Sequence, residues 1–147
     1  MKLTQREKEL IFQRRRFIKT KNTSKTILKF RKASKPSMGE AKIAKFFDDQ
    51  NIQYKREWFF RDLYNKATGH LLYFDFFLPG FHICIEYDGP QHYDSNKTEN
   101  QKINDFLKNA YCKKNNIHFF RIKYTDIDNC EKLICEFFDK VDPIIMT

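Results

Sequence analysis

The chain has 147 residues, 41% of them hydrophobic, with 16 Phe and 7 Tyr; that is enough for one packed domain and too aromatic for a disordered basic tail. Lys and Arg total 28 against 19 Asp and Glu, a formal charge of +9, which makes nucleic acid the expected partner and a merely solubilising surface the plain alternative. No apolar run reaches membrane-spanning length, no signal-peptide core follows the N-terminal charges, and Cys84, Cys112, Cys130 and Cys135 contain no C-x-x-C pair. The expectation is a soluble, intracellular, reduced protein without a membrane partner, structural zinc or disulfides. Abundant Lys and Asn fit an AT-rich genome, such as that of a phage or a large virus.

Residues 1–35 read as a basic N-terminal helical arm. Leu10, Ile11, Phe17 and Ile18 share one helical face, and Arg14, Arg15 and Arg16 supply cations for a nucleic-acid backbone. Thr26 to Phe30 is expected to add a short amphipathic turn, and Lys35-Pro36 breaks the pattern. A single domain then covers 36–147. Ser37-Met38-Gly39-Glu40 has the form of a capping box, opening a helix to about Gln50 that buries Ile43, Ala44, Phe46 and Phe47. Residues 52–60 read as a strand and 61–70 as a polar turn. Residues 71–78 and 81–88 form a hairpin about Pro79-Gly80. Ile103, Phe106, Leu107, Ala110 and Tyr111 mark the inward stripe of a helix ended by Asn115-Asn116. Residues 117–123 form a strand, and 129–139 a helix with Leu133, Ile134, Phe137 and Phe138 inward. The order α-β-β-β-α-β-α predicts an α/β sheet covered by helices.

With Leu78 opposite Phe81, Asp75 falls opposite Cys84, and Asp75, Cys84, Glu86 and Asp88 share one face of the hairpin. Phe74, Phe76, Leu78, Ile83, Ile85 and Tyr87 form the other, apolar face. Three acids together repel and lose hydration, so they require compensation. A hard divalent cation, Mg²⁺, Mn²⁺ or Ca²⁺, is the simplest form of it. Ion pairs with basic residues are the alternative.

The segments FDFFLP, IEYDGPQHY, DFLKN and IHFFRIKY resemble the PD-(D/E)xK nuclease superfamily, in particular the branch of very-short-patch repair and phage homing endonucleases. The resemblance spans about Ser37 to Tyr124. It implies a restriction-endonuclease-like core, α-β-β-β-α-β with a central mixed sheet flanked by helices, and a Mg²⁺-dependent DNA endonuclease, with Mn²⁺ as a substitute. Asp75 matches the metal-binding Asp and Glu86 the second acidic position. Asp88 stands where most of the superfamily carries Lys, and His92 matches a histidine that replaces that Lys in the branch. The second metal ligand is either the Glu86 side chain or the Tyr87 carbonyl. Glu40 matches a Glu on the first helix, where capping is the competing role. Gln91 joins the cluster. Lys108 is a further candidate for the relocated cation, against an ordinary ion pair with Asp105 one turn away. Recognition of a site is left to a homodimer or a partner protein. A decayed DNA-binding module and a junction- or RNA-cleaving nuclease of the same fold are the alternatives.

Overall fold

The computed structural model describes Thr4 and residues 28–31, 34–90 and 97–141. The expected arm helix with Arg14, Arg15 and Arg16, and the loop carrying Gln91 and His92, lie outside the described residues. The elements are α1 (Met38–Asp49), β1 (Lys55–Tyr64), β2 (Leu71–Leu78), β3 (Ile83–Asp88), α2 (Glu99–Lys114), β4 (His118–Lys123), a 3₁₀ segment (Tyr124–Asn129) and α3 (Cys130–Val141). This is the expected order. The four strands lie side by side in sequence order; β1, β2 and β3 are antiparallel neighbours and β4 runs parallel to β3. The parallel pair needs a long crossover, and α2 supplies it.

Helices cover both faces of this mixed sheet. On one face, Ile43 and Phe47 of α1 and Ile134 and Phe138 of α3 pack on Phe76, Leu78, Ile83, Ile85 and Ile122. On the other, Cys112 of α2 packs with Trp58, Phe60, Phe77 and Cys84, with Leu107 and Tyr111 partly buried beside them. The stripe expected for α2 is rotated: Ile103 and Phe106 are exposed, Phe106 by 69%, and Ala110 faces solvent. The register of Leu107, Tyr111 and Cys112 against the sheet decides which side of α2 is covered.

Three further expectations change. β1 continues to Tyr64, through residues read as a turn, because Trp58, Phe60 and Leu63 all reach the α2-side core. The hairpin loop is four residues, with Leu78 opposite Ile83 and Phe77 opposite Cys84. Asp75 is therefore not opposite Cys84; the shift is two residues, which preserves facial parity. Lastly, Phe74 lies in the α2-side core with Phe77, not with Phe76 and Leu78. The alternation of β2 slips at Asp75. Glu57, across from it between the Arg56–Phe76 and Trp58–Phe74 pairs, has φ 50°. An irregularity of this kind re-aims a side chain within an otherwise regular sheet.

Of the amphipathic turn expected at 26–30, residues 26 and 27 lie outside the described residues, and Lys29 forms a parallel bridge with His70. Among the described residues, no helix is long and apolar enough to cross a membrane.

Candidate active site

Asp75 marks the point where β2 and β3 part. The ladder between them ends at Phe76–Ile85, and the Asp75 Oδ2 accepts the main-chain N–H of Tyr87 at 2.8 Å. Beyond this fork a cleft of about 370 Å³ opens, lined by Glu40, Asp75, Glu86, Asp105 and Lys108, with Arg31 and Tyr73 at its rim. No Lys or Arg among the described residues pairs with Asp75. Burial raises its pKa to about 7, and the neighbouring Glu86 charge adds to the rise, against the Tyr87 hydrogen bond and Lys108.

Glu86 and Asp88 are compensated differently. Both are buried, at 5% exposure each. Glu86 Oε1 accepts from Lys108 Nζ, and Oε2 accepts from Arg121 Nη1 at 3.0 Å. The same Nη1 lies 3.2 Å from Asp88 Oδ1, and Nη2 reaches Asp105 Oδ1 at 3.3 Å. Parallel pairing sets Arg121 of β4 directly beside Glu86 of β3, and its guanidinium rests 4.7 Å from the Phe119 ring centroid. Arg121 is thus a fork shared by three carboxylates, a geometry that its fixed planar donors suit. For two of the three acids, the ion-pair alternative describes the structure.

The expected Asp105–Lys108 pair is replaced. Lys108 turns to Glu86, a more buried partner than Asp105, and Asp105 binds Lys97 and Arg121 instead, because α2 faces the acid-bearing edge of β3. These cations hold the Asp105 carboxyl below its usual range despite burial, which acts the other way. Glu40 sits at the cap of α1 and also lines the cleft. Its N–H donates to Ser37 Oγ at 3.2 Å, the cap, while its carboxylate takes the Ser37 hydroxyl and Arg56 Nη2, each at 3.2 Å.

Gly39 brings α1 against the fork. A Cβ built at Gly39 would stand 2.3 Å from Cζ of the Tyr87 ring. Only a bare Cα permits that approach, which seats the first turn of α1, and Glu40 with it, beside Asp75.

A family model described as a family of unknown function (DUF5889) matches residues 71–144. The chain belongs to that family. The match runs from β2 to just beyond α3 and so includes Asp75, Glu86, Asp88, Lys108 and Arg121 of this DUF5889 chain. A comparison with curated proteins returns no match. Among solved structures, one titled "Homing Endonuclease I-Bth0305I Catalytic Domain" is similar at 20% identity with a TM-score of 0.48, covering 73% of this chain and 99% of that one.

The sequence reading missed Arg121, Arg31 and Tyr73. Arg121 carried a signal: a lone cation in the middle of the apolar strand IHFFRIK, where burial demands an anionic partner. Arg31 and Tyr73 carried none, since their meeting depends on how residues 28–31 dock. Among the described residues, no three His, Cys, Asp or Glu side chains form a ready cage for a metal ion.

Proposed function

We propose that this protein is a divalent-metal-dependent endonuclease that hydrolyses DNA phosphodiester bonds at the cleft beside Asp75. The observation that carries the proposal is a partly buried carboxylate, held by a main-chain N–H at the fork of two strands, with a pKa near 7 and, among the described residues, no Lys or Arg in an ion pair with it. Such a group is destabilised as an anion until a positive charge arrives.

The donors there suit a hard cation. Asp75 offers its second oxygen. The Tyr87 carbonyl lies on the same strand edge as the N–H that Asp75 accepts, because one residue's N–H and C=O point the same way in a strand. Both are oxygen ligands of the kind Mg²⁺ and Mn²⁺ prefer. Glu86 is the weaker candidate, since metal contact would compete with Lys108 and Arg121. A bound Mg²⁺ supplies Lewis acidity at the phosphate and a more acidic attacking water.

The chain's own residues do the remainder. Asp75 and the Tyr87 carbonyl would hold the cation against which the phosphate is positioned, and Arg121 holds Glu86 and Asp88 fixed behind them. His92 takes the proton of the attacking water or returns one to the leaving oxygen, and Gln91, its neighbour in sequence, assists. Lys108 balances charge at the cleft wall. Glu40 orients water from the first turn of α1. Arg14, Arg15 and Arg16 grip the DNA backbone without regard to sequence. The sequence resemblance to the very-short-patch and phage homing branch supports these roles, and recognition would come from a second copy or a partner protein.

The deciding experiment is cleavage of duplex, mismatched and branched DNA with Mg²⁺, with Mn²⁺ and in EDTA. Cutting that requires the metal and is abolished by Asp75→Ala, with DNA affinity retained, is the expected result. Undiminished cutting in EDTA, or normal cutting by Asp75→Ala, would overturn the assignment.

A further inference from the structure

Residues 28–31 close a second cleft, of about 320 Å³, that adjoins the first. It is lined by Lys29, Arg31, His70 and Lys108, and shares Arg31, Tyr73 and Lys108 with the acid cleft. The two form a continuous trough, acidic at the Asp75 end and cationic at the other.

The cationic end is anchored through its backbone. The Lys29 N–H donates to the Gly69 carbonyl at 2.8 Å, and the Lys29 carbonyl accepts the Leu71 N–H at 3.2 Å. Both bonds use main-chain atoms, so the exposed Lys29 side chain is left to reach solvent or a ligand. Arg31 is fixed more tightly. Its guanidinium carbon lies 4.4 Å from the Tyr73 ring centroid, its main-chain N–H donates to Tyr73 Oη at 3.3 Å, and its Nη2 stands 3.7 Å from Glu57 Oε1. The Arg31 side chain nevertheless remains 52% exposed. A stacked guanidinium has lost much of its rotamer freedom while its N–H edges stay open, a preorganised donor for a phosphate.

We propose that Lys29 and Arg31 form a phosphate-binding subsite for the nucleic-acid strand adjoining the bond cut at Asp75. The subsite rests on the nuclease reading for what happens at its acidic end. Charge complementarity selects the ligand. Carboxylates at one end of the trough repel a polyanion, and the cations at the other supply the compensating attraction. Docking of residues 28–31 on the sheet builds that pull into the domain itself, apart from the arginine triplet upstream.

The test compares the full chain with Lys29→Ala/Arg31→Ala, with Lys29→Glu, and with Lys132→Ala as a control on α3. Binding of a labelled DNA duplex is measured in EDTA across a salt series, so no cleavage intervenes, and melting temperature checks the fold. Two lost phosphate contacts should lower the slope of log affinity against log salt by roughly 1.8, at about 0.9 per contact. Lys29→Glu should weaken binding further than loss of the lysine charge alone, to the same degree for unrelated sequences, and Lys132→Ala should leave the slope unchanged. Retained slope and affinity in folded Lys29→Ala/Arg31→Ala and Lys29→Glu would overturn the subsite even if the wild type cuts DNA. A reduced slope alongside a wild type that never cuts would uphold the subsite while the nuclease reading fell. No DNA binding by the wild type would remove both.

Discussion

The Asp75 carboxylate accepts the Tyr87 amide hydrogen at 2.8 Å, just past the last paired residues of β2 and β3. A side chain there takes over from a backbone carbonyl, and the fork stays open without stranding the Tyr87 donor.

Burial of that carboxyl, with the Glu86 charge beside it, makes the metal-free protein sensitive to pH; the Tyr87 bond opposes the shift. The Asp75 pKa is raised from 3.8 to about 7 by burial and by Glu86, so the contribution is intact below about pH 4 and is lost as pH rises through 7. At about 1.4 kcal/mol per unit, the loss amounts to roughly 4 kcal/mol at most. Asp75→Asn keeps an acceptor for Tyr87 and removes the charge. In EDTA at pH 8 it should melt at a higher temperature than the wild type, and the difference should vanish near pH 4. Added Mg²⁺ or Mn²⁺ should raise the wild-type melting temperature and leave Asp75→Asn unmoved.

Arg121 is the second sensitive point. Arg121→Ala takes from buried Glu86 and Asp88 the guanidinium they share, and breaking such a pair costs about 3 kcal/mol or more. Urea unfolding should record that loss. Arg121→Lys should recover part of it, because one ammonium cannot serve three carboxylates in the forked geometry.

Gly39→Ala tests the approach of α1. Alanine normally strengthens a helix by about 1 kcal/mol over glycine. Here its Cβ would fall within 2.3 Å of the Tyr87 ring, and crowding of that kind costs about 1–3 kcal/mol. The expected outcome is a net loss of stability by chemical denaturation, together with slower cleavage, because Tyr87 must move and Asp75 is bonded to its N–H.

The proposed roles of His92 as proton carrier and Lys108 as charge balance can be told apart by substitution. His92→Ala should slow cleavage by about 10²–10⁴-fold with metal binding intact. With metal present Asp75 stays ionised, so the wild-type rate should fall as pH drops through an imidazole value of about 6.5, and that dependence should disappear in His92→Ala. Lys108→Ala should have the smaller effect on rate. A dead Lys108→Ala beside a nearly normal His92→Ala would transfer the role to the lysine.

The element order and the acid-bearing face of the hairpin were legible in the sequence, because they depend on short periods of apolar residues and on parity along a strand. A loop two residues longer than anticipated preserved that parity, so Asp75 and Glu86 still meet at the same edge. Tertiary structure decided how each acid is balanced. Arg121 reaches Glu86 only through the parallel pairing of β3 with β4, strands separated by all of α2, and Lys108 reaches it only through the rotation of α2 on the sheet. The slip at Asp75 and the docking of Lys29 beside His70 are likewise contacts between distant segments. Local periodicity reports which face of an element is apolar. It does not report which partner a buried charge finds, since that depends on the whole set of neighbours that packing brings within a few ångströms.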